Sequence, residues 1–145
     1  MDRLEELKKW FNDAPLGQKF PLRLDGLSPG FAEVSMEIEM NDLVTAGPMM
    51  IVQGGVLAVL ADAAAVMAAM STLSDGHTPL AHISYDLISP TTLLDFRLIA
   101  VAKARGQNAR WIWVDVNIYG MNPNPSREDN LKAVVSAKFA KPKAK

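Results

Sequence analysis

At 145 residues, with 49% hydrophobic and 21% charged residues, the chain has the make-up of one ordinary globular domain, residues 1–145, large enough for a proper core. A formal net charge of −1 removes any general electrostatic pull toward nucleic acid or a membrane surface, so neither is expected as a partner. Cysteine is absent, which excludes disulfides, thiolate nucleophiles and cysteine-ligated metals and is compatible with a cytoplasmic location.

Met1 to Asp13 carries Leu4, Leu7, Trp10 and Phe11 at helical spacing and lacks the apolar core of a signal peptide. An amphipathic helix is expected there, ended by Pro15 and Gly17, either packed on the body or closing over a cleft. Phe20, Leu22 and Leu24 suggest a short strand, and Leu27-Ser28-Pro29-Gly30 a turn. Ala32, Val34, Met36, Ile38 and Met40 alternate with Glu33, Ser35, Glu37 and Glu39, a half-buried strand with a solvated acidic face rather than a metal site. Asn41 to Val52 reads as a loop through Gly47-Pro48, and its Met49-Met50 pair either lines a pocket or fills core.

The centre of the chain is Gln53-Gly54-Gly55 and the run Val56–Met70, apolar at every position except Asp62. Ala, Leu and Met dominate and no Gly or Pro interrupts, so a helix buried on all sides is expected. The run is too short for a membrane span and carries an acid at its middle. An ionised carboxylate on such a surface is costly unless it is paired, hydrogen-bonded or facing water. Asp62 is therefore either a structural partner or a functional acid.

The double glycine adds a second element, because amides at a helix start are unpaired and attract developing negative charge. An oxyanion site plus a buried carboxylate can perform acyl transfer. Gly54 and Asp62 lie about 12 Å apart along one helix at about 1.5 Å per residue, too far to grip one carbonyl. Two antiparallel helices across a two-fold axis would meet the requirement, with Gly54 of one chain facing Asp62 of the other.

Ser71 to Pro79 is a loop, after which Ala81–Leu87, Phe96–Lys103, Trp111–Tyr119 and Leu131–Phe139 read as strands. Trp111–Tyr119 is apolar on both faces, as in an interior strand, and the outer sheet face with Trp111 and Trp113 is expected against a neighbouring subunit. Asn122 to Pro125 begins a polar loop, and Lys141 to Lys145 is a solvated basic tail. Hairpin-like spacing of the later strands argues for a mostly antiparallel sheet wrapped around the central helix, an α+β architecture. No phosphate loop, dinucleotide fingerprint or nucleophile elbow is present, and His77 and His82 support neither a zinc site nor a triad.

The segment Gln53-Gly54-Gly55-Val56-Leu57-Ala58-Val59-Leu60-Ala61-Asp62-Ala63-Ala64 resembles the signature of hotdog-fold acyl-CoA thioesterases, closest to the phenylacetate-degradation type. Ile83-Ser84-Tyr85-Asp86-Leu87-Ile88-Ser89-Pro90 is similar to that family's strand after the helix. The resemblance covers roughly residues 41–139 and leaves the N-terminal helix as an addition.

It implies hydrolysis of an acyl-CoA thioester. Gly54, with Gly55 beside it, would polarise the carbonyl, while Asp62 of the opposite subunit would act as general base or nucleophile. It further implies a homodimer or dimer of dimers, coenzyme A only as part of the substrate, and no metal. Gln53 takes the place of the family's usual His, Gly47 of an Asn, Met50 of a Gly and Leu80 of a Ser or Thr. The acyl group is expected near Met49, Met50, Val52, Met67, Ser89 and Pro90, with Trp111 or Trp113 as further apolar candidates. Lys103, Arg105 and Arg110 are either phosphate contacts or solvated charges. The alternative is a protein of the same fold that binds acyl-CoA or lipid without hydrolysing it.

Overall fold

The computed structural model describes residues 2–121 and 130–143. The expected loop at Asn122–Pro125 and the last two tail residues lie outside the described residues. Helix α1 (Arg3–Asp13) starts at an Asp2 N-cap whose carboxylate accepts the Glu5 N–H at 3.0 Å. Its Leu7 is only 1% exposed and joins the core. A 3-10 turn, Pro15–Gln18, leads into β1 (Leu22–Ser28), which pairs with β2 (Phe31–Glu37) through Pro29-Gly30. The turn needs Gly30 at φ +77°, and Ser71 Oγ fixes it by accepting the Gly30 N–H at 2.9 Å and donating to the Ser28 carbonyl at 3.1 Å.

The segment read as a loop before the glycines is a β-hairpin, β3 (Leu43–Ala46) with β4 (Met49–Val52). Gly47 at φ +61° and Pro48 form its two-residue turn, so that glycine does conformational work. After the central helix α2 (Gly54–Met70) come β5 (Leu80–Leu87), β6 (Arg97–Gln107), β7 (Trp111–Gly120) and β8 (Leu131–Ala140). The main sheet runs β1-β2-β6-β7-β8-β5, and every neighbouring pair is antiparallel. This is the expected α+β arrangement, a sheet curled around one helix. Among the described residues no helix is long and apolar enough to cross a membrane.

The core lies between α2 and the concave sheet face. Val34, Leu98, Ala100, Val114, Val116 and Ala137 point inward against Leu57, Leu60, Ala61, Ala64 and Ala68. Alanines on the helix let the strands approach closely, and interior packing at native density then leaves little room to shift. Burial is not complete around α2, however. Gly55, Val59, Asp62 and Val66 form a stripe at i, i+4, i+7, i+11 that the chain covers only in part. β7 likewise differs from the expectation of two apolar faces. Ile112, Val114, Val116 and Ile118 are buried, whereas Trp111 and Trp113 are half-buried and Asp115 and Asn117 exposed. Phe96, expected to open β6, stands before it at φ +41°, closing the Leu93–Asp95 turn.

The β7–β8 ladder slips between Ile118 and Tyr119, which pair with Ala133 and Leu131. Lys132 is the extra residue of this bulge, and the bulge turns its side chain inward until the residue is 7% exposed. There Lys132 Nζ meets Asp95 Oδ2 at 3.2 Å and donates to the Pro90 carbonyl at 3.0 Å. Asn130 Nδ2 donates to the Gly120 carbonyl and to Asp95 Oδ1. Removing one partner from a buried pair strands the other charge. Lys132→Met should therefore cost about 3–5 kcal/mol. Urea denaturation of the variant and the wild type measures it; a loss near zero would mean the pair is hydrated rather than buried.

Candidate active site

Gln53 is the N-cap of α2 in extended conformation, and its side-chain Oε1 accepts the Gly55 N–H. The residue where the resembled family has His is thus engaged in capping the helix. The Gly54 N–H donates to nothing among the described residues, as the first amide of a helix has no partner within it. A Cβ on Gly54 would meet only Leu87 Cδ1, at 3.3 Å, so β5 closes on this turn from one side. On the other side the Val52 N–H donates to the Thr91 carbonyl at 2.8 Å, and the Gln53 N–H to the Asp42 carbonyl at 2.9 Å. The segment from Pro90 to Asp95, held from below by Lys132, therefore supports the glycine turn.

Two turns further along α2, Asp62 lies on the partly covered stripe. Among the described residues its carboxylate has neither a hydrogen bond nor an ion-pair partner. Burial without such compensation raises its pKa above the ordinary 3.8. The structural-partner explanation that the sequence left open has no partner to offer within the chain. Asp62 instead opens into a cleft of about 460 Å³. Asp62, Ala63 and Val66 form its floor, while Trp10, Phe11, Leu16 and Leu22 wall it from α1, the 3-10 turn and β1.

The other expected site residues fall into separate places. Met49 and Met50 are half exposed on the β3–β4 hairpin, while Val52 is buried beside the turn. Ser89 Oγ donates to the Leu131 carbonyl at 2.9 Å, and the Pro90 carbonyl accepts from Lys132, so both are tied to β8 near the helix start. Met67 is fully enclosed in the core. None of these six lines the Asp62 cleft. Leu80, at a position where the resembled family has a hydroxyl, is exposed at the start of β5. Lys103 and Arg110 are exposed, and Arg105 Nε lies 3.6 Å from Asp115 Oδ1. No cluster of three or more acids or histidines able to hold a metal occurs among the described residues.

The sequence left open whether α1 packs on the body or closes over a cleft, and it does both, but Trp10, Phe11, Leu16, Leu22, Ala63 and Val66 were not named as site residues. Val66 was legible in principle, one turn beyond Asp62 on the same face. Which side chains of α1 would wall the cleft was not, since docking of a terminal helix depends on tertiary packing.

No protein-family model matches the chain, and no curated protein matches it by sequence. Solved structures do match. A thioesterase family protein from Silicibacter pomeroyi superposes with a TM-score of 0.81 at 16% identity, covering 94% of this chain and 95% of that one. The PaaI protein from the phenylacetic acid degradation operon of E. coli gives 0.80 at 18% identity over 98% and 95%. A thioesterase from Haemophilus influenzae gives 0.74 at 16% identity over 94% and 88%. Across nearly its whole length, then, this chain shares the fold of these solved structures, the hotdog fold.

Proposed function

We propose that the protein hydrolyses an acyl-CoA-type thioester at a site shared between two copies of the chain. The observation that carries this reading is Asp62, a desolvated carboxylate without a partner at the floor of an open cleft. Such a group is destabilising, and a fold retains it where it has work to do. Its raised pKa makes it a stronger base than an exposed aspartate.

In this reading Asp62 takes a proton from a water as the water oxygen bonds to the thioester carbon. The Gly54 N–H of the opposite copy stabilises the oxyanion, the carbon–sulfur bond breaks, and the proton passes to the departing thiolate. With Gln53 engaged on Gly55 and no polar side chain at Gly47 or Leu80, the apparatus is one amide and one carboxylate. Turnover slower than in a site with a second oxyanion donor is expected, by about 10²–10³.

A second copy is supported by β5, an edge strand exposed at every position but Ile83. Its open backbone groups and the exposed Tyr85, Leu87 and Ile88 offer a pairing edge. The names of the matching structures add thioesterase activity in relatives of the fold and, for one of them, a phenylacetic acid degradation operon.

Gly54→Pro isolates the amide. Gln53 already has the extended φ −65°, ψ 137° that suits a residue before proline, and proline is favoured at the first helical position. The variant should keep its melting temperature and lose about 10²–10³ in kcat against a panel of acyl-CoAs. Undiminished thiol release would remove Gly54 from the site.

Asp62→Asn should lower kcat by about 10²–10⁴. It should also raise the melting temperature at neutral pH. Because burial lifts the folded-state pKa above 3.8, the wild type is favoured at low pH and loses stability as pH rises through that pKa. The gap between variant and wild type should therefore close in acid, while wild-type kcat/KM should rise with pH through the same ionisation. A lower melting temperature for the variant at neutral pH would instead reveal a stabilising partner for the acid.

Mixing the two inactive variants tests the shared site. Random re-pairing makes half of the dimers hybrids with one intact site each, restoring about a quarter of wild-type activity. Recovery of none would place both groups of a working site in one chain.

A further inference from the structure

We propose that Lys132 is a positioning residue for the reaction: from the β7–β8 bulge it fixes, through residues 88–95, where the Gly54 N–H points. This rests on the reading of that amide as the oxyanion donor. Gly54 and Gly55 carry no Cβ, so the turn they form has little stiffness of its own. Its direction is set by what it is tied to. Just upstream it is tied at two amides. The Gln53 N–H donates to the Asp42 carbonyl at 2.9 Å, and the Val52 N–H to the Thr91 carbonyl at 2.8 Å.

The second tie leads to Lys132. The Ile88 and Ser89 N–H groups donate to the Lys132 carbonyl at 2.8 and 3.4 Å, and Ser89 Oγ donates to the Leu131 carbonyl at 2.9 Å. Lys132 Nζ donates to the Pro90 carbonyl at 3.0 Å and meets Asp95 Oδ2 at 3.2 Å. That carboxylate oxygen in turn accepts the Thr92 N–H at 3.0 Å. One ammonium group thus holds the chain on both sides of Thr91, directly at Pro90 and through Asp95 at Thr92. Thr91, Asp95 and Lys132 are all buried.

Stability alone does not account for the pair. Apolar residues of similar volume in place of a buried ion pair are often as stable or more so. What they do not supply is a directed hold on the Pro90 carbonyl and the Thr92 amide. The chemistry needs that precision, because a misplacement of about 1 Å can cost about 10² in rate. With Gln53 engaged on Gly55, no second side-chain donor at the turn makes up for a displaced amide.

The test compares Lys132→Met with the neutral pair Lys132→Met/Asp95→Asn, each also made in Gly54→Pro. Lys132→Met alone strands the Asp95 charge and loses stability. The neutral pair leaves no charge behind, keeps an acceptor for the Thr92 N–H and should recover most of the melting temperature. Its kcat against acyl-CoAs should nevertheless stay about 10–10² below wild type, with KM within about twofold, since the oxyanion contact is made in the transition state. In Gly54→Pro the same pair should lower kcat no further, because the amide it positions is already gone. Hydrogen exchange at the Val52 amide, read by NMR, should quicken by about tenfold or more in the neutral pair, while the buried Ala64 and Ala68 amides keep their protection.

Full kcat in the neutral pair, a loss carried in KM, or an equal loss in the Gly54→Pro background overturns the positioning role and leaves the thioesterase reading standing. So does unchanged exchange at Val52. A neutral pair that does not fold would make Lys132 a residue of stability only and overturn the role as well. A wild type without Asp62-dependent thiol release overturns both readings, whatever the exchange shows.

Discussion

Asp62 sits on a helix whose other residues between Val56 and Met70 are all apolar, and the chain supplies it with no counter-charge and no donor among the described residues. Burial raises the free energy of its ionised form, which is why its pKa moves upward. A mobile acid would relieve this by turning toward bulk water. Here the helix under it is fixed by Ala61, Ala64, Ala65, Ala68 and Ala69, each with no exposed surface, so the sheet lies close against its far side. The small side chains that let the sheet approach also fix the depth at which the carboxylate stands. The packing and the desolvated acid are in this sense one design.

The opposite end of the helix start is held by polar means. Lys132, Asp95 and Asn130 form a buried cluster beneath the segment whose Thr91 carbonyl accepts the Val52 N–H, immediately before Gln53. Asp95 Oδ2 also accepts the Thr92 N–H at 3.0 Å, closing the turn from within. Any side chain at Gly120 would collide with this cluster, since its Cβ would lie 2.5 Å from Asp95 Oδ1. A half-satisfied network in a low-dielectric interior is costly, and a satisfied one rigidifies what it touches. What it touches is the loop that abuts the glycine turn.

Much of this was legible in the residues and some was not. The central helix and the strands with clean period-two alternation followed from pattern, because one face of each is buried and the other is not. The Met49-Met50 hairpin was misread because its strands pack on little, so their sequence carries no alternation, and Gly47-Pro48 resembles loop punctuation as much as a turn. Lys132 was hidden for a different reason. Simple alternation along Leu131–Phe139 assigns it to the outer face, and only the bulge opposite Ile118 and Tyr119 reverses it. Within the candidate site, the glycine turn and Asp62 were visible because each violates the pattern around it. The cleft walls were not, since Trp10, Phe11 and Leu16 look like the apolar side of any terminal helix.

The geometry of α2 also bears on the proposed shared site, because an acid and an amide so far apart on one helix cannot grip one carbonyl. They lie about 12 Å apart on one rigid rod, and the chain covers each of them only in part. Covering that stripe and the exposed edge of β5 with another copy would bury Leu87 and Ile88 and bring in the amide the acid lacks. Assembly and activity would then depend on the same contacts. A lone chain would carry a desolvated acid with nothing to act upon, and the apolar surface that drives pairing would be the surface that completes the site.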